Sequence, residues 1–267
     1  MIQEEGRQDM LGTLHNIYFS PTGSSRTYVS TIADVLMKTF PSKAILFHNW
    51  TRQRGERILC DAEDILVLGF PVYAGRVPSV LEPSLAALRG NHTPAIVAAV
   101  YGNRAYEDAL IEAYDILASR GFVVVAAGAF IAEHSMTSMV GTGRPDAADL
   151  KAASDFARQA AGHIASGVIH AVAVKGNRPY REVHKAPPAA PKTTDACTEC
   201  LLCAKHCPMG IINLHDPRII GSGCLRCFSC VKSCPVKAKY FEDETIAKVR
   251  AMLEGNHTAR KEPEIFV

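Results

Sequence analysis

Eight of the nine cysteines in this 267-residue chain fall between Cys197 and Cys234 and repeat one pattern twice. The first copy is Cys197-x-x-Cys200-x-x-Cys203-x-x-x-Cys207-Pro208, and the second is Cys224-x-x-Cys227-x-x-Cys230-x-x-x-Cys234-Pro235. Three thiolates separated by two residues each wrap one loop around three corners of an iron–sulfur cubane, so the fourth corner is supplied from elsewhere. In paired runs of this kind it comes from the other run. The pattern predicts two [4Fe-4S] clusters, one on Cys197, Cys200, Cys203 and Cys234, the other on Cys224, Cys227, Cys230 and Cys207. Pro208 and Pro235 each follow a ligand and turn the chain away from it at fixed φ. A disulfide framework fits poorly, because the opening residues MIQEEGRQDM are polar and acidic and do not read as a signal peptide. Zinc favours separated CxxC pairs over runs of four ending in proline.

A second chemistry is written in Ser20-Pro21-Thr22-Gly23-Ser24-Ser25-Arg26-Thr27. It offers four hydroxyls in its first six residues, and backbone N–H groups at the start of a helix, which together make a phosphate cradle. It lacks the lysine of a nucleotide-triphosphate loop and any GxGxxG, which argues against a dinucleotide.

The elements that position these loops alternate. A short apolar strand, Leu14 to Phe19, runs into the hydroxyl loop. A helix follows from about Ser25 to Phe40, with Val29, Ile32, Ala33, Leu36 and Met37 on one face and Pro41 as its stop. A weaker strand covers Ala44 to Phe47, and polar, basic Thr51 to Arg57 is a loop or short helix. Strong strands are read at Asp64–Phe70, Ala95–Tyr101 and Phe122–Phe130. Between and after them come helices ending near Leu88, over Ala105–Ser119 and over Ala147–Ser166. Continuous apolar strands alternating with helices predict a parallel sheet covered on both faces, and five such units fit a doubly wound order of 2-1-3-4-5. In that order a ligand sits between strands one and three, where the hydroxyl loop lies.

The boundaries expected are a first domain over 12–172, a proline-rich linker over 173–193, a cluster domain over 194–241, and a C-terminal helix and tail over 242–267. The linker carries Pro179, Pro187, Pro188 and Pro191 and reads as extended and semi-stiff. Residues 1–11 are a ragged lead-in. The closing Ile265-Phe266-Val267 is apolar enough to dock back on a domain.

Residues 194–241 resemble the bacterial 2[4Fe-4S] ferredoxins, a small α+β fold. The hydroxyl loop resembles the flavodoxin FMN-phosphate loop, (S/T)-x-T-G-x-(S/T). Nearly the whole chain is similar to fusions of a flavodoxin-like domain with a C-terminal two-cluster ferredoxin, through SPTGSSRT, GFPVYAGRVP, VYGNRAYED, AEHSMTS and GRPD. The resemblance implies a flavodoxin-like α/β domain, bound FMN and electron transfer. Ser20, Thr22, Gly23, Ser24, Ser25 and Thr27 would hold the phosphate. Pro71, Val72, Tyr73, Ala74, Gly75 and Arg76, with Tyr101, Gly102, Asn103, Arg104 and Tyr106, would frame the ring. Tyr73, Tyr101 or Tyr106 would stack on it, and Arg76 would sit near its N1–O2 edge. Ser24 and Ser25 stand where flavodoxins often carry Asn-Thr, and the acidic surface common in flavodoxins is missing.

A net charge of +2 argues against nucleic-acid or polybasic membrane partners. No apolar run reaches the roughly 18–20 residues that span a bilayer. Thiolate clusters imply a reducing compartment, so a cytoplasmic location in an anaerobe is expected. From Thr194 to Phe241, six basic residues stand against three acidic ones. They raise cluster potentials, face an acidic partner protein, or are simply solvated. His134 and Trp50 read as structural, and Cys60, the odd cysteine, as a small buried hydrophobe. The function expected is relay of single electrons between the clusters and FMN, linking soluble redox partner proteins. The alternatives are a flavoenzyme that reduces a small acceptor, and a redox sensor whose first domain binds nothing. The oligomeric state, monomer or homodimer, is left open.

Overall fold

A computed structural model of the protein describes residues 11–167, 169–183 and 188–267. Residues 1–10 of the expected lead-in, and Pro187 of the expected linker, lie outside the described residues. Six strands form the main sheet: β1 (Leu11–Tyr18), β2 (Ser42–Asn49), β3 (Ile65–Pro71), β4 (Thr93–Tyr101), β5 (Phe122–Ile131) and β6 (Glu264–Phe266). Their spatial order is β2-β1-β3-β4-β5-β6. The first five are parallel, in the flavodoxin-like order 2-1-3-4-5.

The sixth strand departs from the expected five. Ile265 pairs with Gly128, and Glu264–Phe266 runs antiparallel to β5. Without it, the buried strand β5 would present a row of open N–H and C=O groups at the sheet edge. Three residues are too few to show a period, which is why the sequence reads this segment only as apolar.

Helices α1 (Ser24–Thr39) and α4 (Ala147–Ala165) cover one face of the sheet. Helices α2 (Glu82–Ala87) and α3 (Ala109–Ala118) cover the other. Helix α1 buries Tyr28, Val29, Ile32 and Leu36 at helical spacing. Phe130 of β5 stacks on Tyr28 with ring centroids 4.8 Å apart and meets Phe156 of α4 edge-on at 5.5 Å. The Tyr28 hydroxyl donates to the Ile131 carbonyl at 2.6 Å, so its burial leaves no open donor. Each such aromatic contributes about 1.5–3 kcal/mol by leaving water. Asp146 and Asp149 close a capping box at the start of α4. Edge strand β2 leaves Ile45, Leu46 and Phe47 exposed, which accounts for its weak pattern.

The chain after α4 is extended, but it is strapped to the first domain rather than free. Val172 N–H donates to the Val124 carbonyl at 2.9 Å. The Asn177 and Arg181 backbone N–H groups donate to Asp108 at 2.8 and 2.7 Å, and the Tyr180 hydroxyl donates to Asp115 at 2.6 Å. The cluster domain repeats a loop and a short helix twice, ending in α5 (Leu202–Lys205) and α6 (Ser229–Lys232). Lys192–Thr193 and Lys239–Tyr240 pair as an antiparallel ribbon. Helix α7 (Glu244–Asn256), capped by the Asp243 carboxylate on Ile246 N–H, then leads back to β6.

Candidate functional site

The two cysteine loops share an uncommon backbone. Glu199 and Leu201 in the first, and Arg226 and Phe228 in the second, are left-handed at φ 54–60°. They flank Cys200 and Cys227 at identical spacing. Left-handed non-glycine residues are strained and persist where the surroundings demand them. Left-handed residues in such loops form backbone N–H concavities that suit anions. Arg226 N–H donates to Cys224 Sγ at 3.4 Å and Ala238 N–H to Cys234 Sγ at 3.1 Å.

The thiols fall into two groups by what acts on each. Burial pushes Cys203 up, and Cys197 and Cys234 push the same way. Burial holds Cys230 up to about 12, with Cys227, Cys224 and Cys207 acting alongside. Cys227 is likewise held up to about 12 by burial, with Cys224 and Cys207 adding. Cysteines from both runs thus meet in each group. Such thiols become thiolates only against strong positive charge, which iron supplies. Lys239 is buried at 2 % exposure, with Nζ donating to Thr193 Oγ1 at 2.7 Å and to the Pro217 carbonyl. Its charge favours the thiolate at Cys203 and at Cys230, one from each group.

At the carboxyl ends of β1, β3, β4 and β5 lies a cavity of about 370 Å³, within the range of ligand sites. Thr22, Ser24, Ser25, Pro71, Val72, Tyr73, Ala74, Gly75, Tyr101, Gly102 and Arg104 line it, all expected from the sequence. Gly23 at φ 96° begins α1 without a side-chain cap, leaving the Ser24 and Ser25 amides with no acceptor among the described residues. Ser20 supports this loop from behind: its Oγ accepts Arg26 N–H at 3.0 Å, and its N–H donates to Thr51 Oγ1 at 3.0 Å. Thr27 hydroxyl donates back to the Gly23 carbonyl at 3.3 Å. The outer side of the loop faces Arg26, Arg52, Lys205 and Lys232 across a second cavity.

Three expected ring residues are turned elsewhere. Arg76 does not reach the cavity: its Nε and its Nη2 donate to Glu112 at 2.8 and 2.7 Å, and its guanidinium lies 4.8 Å from the centre of the Tyr180 ring. A bidentate carboxylate holds arginine better than a solvated loop does, so Arg76 is a clamp between the loop after β3 and α3. Asn103 amide donates to the His257 and Ala259 carbonyls at 2.7 and 2.8 Å, tying the C-terminal segment down. Tyr106 hydroxyl donates to Glu264 at 3.0 Å, while its ring packs against Tyr101 at 5.6 Å.

The rest of the cavity wall comes from three further segments. Glu133, His134, Ser135 and Met136 enter from the loop after β5, Leu225, Arg226 and Cys227 from the second cysteine loop, and Thr245, Ile246, Val249, Met252 and Leu253 from α7. The apolar positions 246, 249 and 253 fall at helical spacing and signal a buried face, but not what it meets. Gly102 is required here, because a Cβ would lie 2.4 Å from the His134 ring. Burial, then the charges of Lys232, Arg104 and His257, push the His134 imidazole down to about 4. Met136 N–H donates to His134 Nδ1 at 3.2 Å, so the neutral ring carries its proton on Nε2. Burial and the nearby Cys227 thiol raise Tyr73 well above the usual phenol range.

Direct bonds join the two domains. Ser229 hydroxyl donates to the Pro21 carbonyl at 2.6 Å, joining the second cysteine loop to the hydroxyl loop. Arg52 and Arg54 donate to the Lys205 and Pro208 carbonyls, each at 2.9 Å. Lys232 pairs with Glu133 at 2.7 Å. The basic piece read as a loop after β2 is thus a docking element.

Residues 191–235 match a protein-family profile described as a 4Fe-4S dicluster domain. No curated protein matches the chain. Among solved structures, a flavodoxin of Streptococcus pneumoniae TIGR4 is similar at 17% identity, covering 57% of this chain and 98% of its own, with a TM-score of 0.41. Oxidised flavodoxin 1 of Bacillus cereus is similar at 17% identity over 57% and 98%, with a TM-score of 0.42. The fold assignment itself rests on the strand order. Among the described residues, no helix is long and apolar enough to cross a membrane. The chain joins a doubly wound domain of flavodoxin topology to a 4Fe-4S dicluster domain.

Proposed function

We propose that this protein is an electron-transfer flavo-iron–sulfur protein, with FMN in the cavity and a [4Fe-4S] cluster forming part of its wall. The observation that carries the proposal is Cys227: a cluster ligand by spacing lines the same cavity as Thr22, Ser24, Ser25 and Tyr73. The residues present fit FMN. Free amides and hydroxyls at the start of α1 suit a phosphate, and Tyr73 and Tyr101 offer aromatic walls. Arg226 and neutral His134 also line the cavity and would supply donors to the flavin. FMN, when bound, accepts or releases one or two electrons where each cluster carries one.

The chain's own residues set the route. Cys207, Cys224, Cys227 and Cys230 would hold the inner cluster, at the cavity wall. Cys197, Cys200, Cys203 and Cys234 would hold the outer one, where Cys200 is exposed. A soluble redox partner would meet the chain there, beside the Arg218–Glu199 ion pair. Helix α7 lines one side of the cavity with Ile246, Val249 and Leu253, which narrows access to it and supports internal exchange. A cytoplasmic, reducing location follows from the thiolate chemistry.

Counting cofactors in anaerobically purified protein tests this. About eight irons, with matching sulfide, and about one FMN per chain are expected. Eight irons with no flavin retained after FMN is added would overturn the relay and leave the hydroxyl loop as a helix-capping turn.

A further inference from the structure

Away from the cavity, at the amino-terminal side of the sheet, three buried side chains of different chemistry converge. His15 on β1, Cys60 in the segment before β3, and Asp64 at its threshold are 6 %, 4 % and 9 % exposed. One ligand atom from each lies within 4.8 Å of the other two. His15 Nε2 stands 3.7 Å from Asp64 Oδ2. A tetrahedral ion with bonds of about 2.0–2.3 Å spaces its ligand atoms roughly 3.3–3.8 Å apart, so the histidine–carboxylate pair is already at that spacing.

The surroundings hold the three in place. Asp64 is fixed by Thr13 N–H on Oδ1 at 2.5 Å and Asp61 N–H on Oδ2 at 2.8 Å, each oxygen keeping a second lone pair. Gly12 makes room, since a Cβ there would lie 2.2 Å from Asp64 Oδ1. The far nitrogen of His15, Nδ1, is 3.3 Å from His48 Nε2, and His48 Nδ1 is 3.6 Å from Glu56 Oε2. A hydrogen-bond partner behind a ligating imidazole fixes its tautomer and aims its other nitrogen.

We propose that His15, Cys60 and Asp64 bind one borderline divalent transition-metal ion, with zinc the ion that their N, S and O donors suit. His48 is a positioning residue. Water takes the fourth position, and the Cys60 thiol releases its proton to solvent on binding. The ion ties β1 to the segment that enters β3. This site is independent of the flavin and the clusters.

The test uses the full chain, loaded with iron anaerobically and then equilibrated with zinc. Mass spectrometry of the metals is expected to find about one zinc beside about eight irons per chain. His15→Gln and Cys60→Ser should each lose zinc at least tenfold with iron unchanged. His48→Phe should weaken zinc against a competing chelator by about 10–100-fold. X-ray absorption at the zinc edge of the unaltered protein gives an answer even where a variant fails to fold: one sulfur at about 2.3 Å with nitrogen and oxygen neighbours is expected. An all-sulfur shell would mean that zinc has entered a cluster site, and would overturn the proposal. So would a fully iron-loaded chain that takes up no zinc, or zinc unchanged in both ligand variants.

Discussion

His134 occupies the wall of the cavity as a neutral imidazole, and its depressed value has a cost in stability. The unfolded chain takes up a proton near the ordinary 6.5, the folded chain only near 4. Stability from this group is complete above 6.5 and falls as pH drops through that window, by roughly 2 kcal/mol at pH 5. His134→Gln is expected to show a smaller fall in melting temperature between pH 7 and pH 5 than the unaltered protein. Lys239 acts at the same scale. Its buried ammonium favours negative charge at thiols of both groups, and added electrons are negative charge. Lys239→Gln is expected to move both cluster potentials to more negative values by tens of millivolts, read by redox titration followed by electron paramagnetic resonance.

Helix α7 and strand β6 act as one element. Thr137 donates to Glu254 at 2.5 Å and Arg250 to the Met136 carbonyl at 3.1 Å, which fastens α7 over the loop after β5. The chain then crosses Asn103, meets Arg144 at the Lys261 carbonyl at 2.7 Å, and enters the sheet beside β5. Ending the chain after Asn256 removes the strand and the Asn103 anchors while leaving every cluster cysteine. Iron content is expected to stay at about eight, while FMN affinity falls at least tenfold as the cover frays. Flavin retention on gel filtration, beside iron analysis, separates these outcomes. The exposed edge of β5 should also make the shortened protein prone to association.

For the molecule as a whole, the domains are held by bonds rather than by the linker alone. Ser229 to Pro21, Arg54 to Pro208 and Lys232 to Glu133 join the cysteine loops to the first domain. On the proposed relay, transfer between the cluster and flavin would be intramolecular. After rapid reduction of the holo-protein, the internal equilibration rate is expected not to change over a tenfold range of protein concentration. Ser229→Val, which cannot donate to Pro21, should slow that rate while leaving iron and flavin content unchanged. A rate rising in proportion to concentration would point to transfer between separate molecules.

The cysteine runs were legible without a structure because cluster ligation is local: spacing along the chain sets which thiols share a loop. The parallel sheet was legible for a similar reason, since each strand and helix declares its own period and the order follows from packing rules. The free amides of the hydroxyl loop were readable because backbone N–H groups at a helix start need no distant partner. Other features depend on residues far apart in sequence. Arg76 turns from the cavity because Glu112 and the Arg181 carbonyl take its guanidinium. The cavity has its roof because α7 and Cys227 arrive from the far end of the chain. The sheet gains a sixth strand because β5 had an open edge, and Cys60 meets His15 and Asp64 only once β1 and β3 lie side by side. Sequence by itself determined the cofactor chemistry and the layer order, which are set by local spacing. Tertiary structure alone decided which groups face the cavity and which face each other, because those contacts are chosen by packing between distant segments.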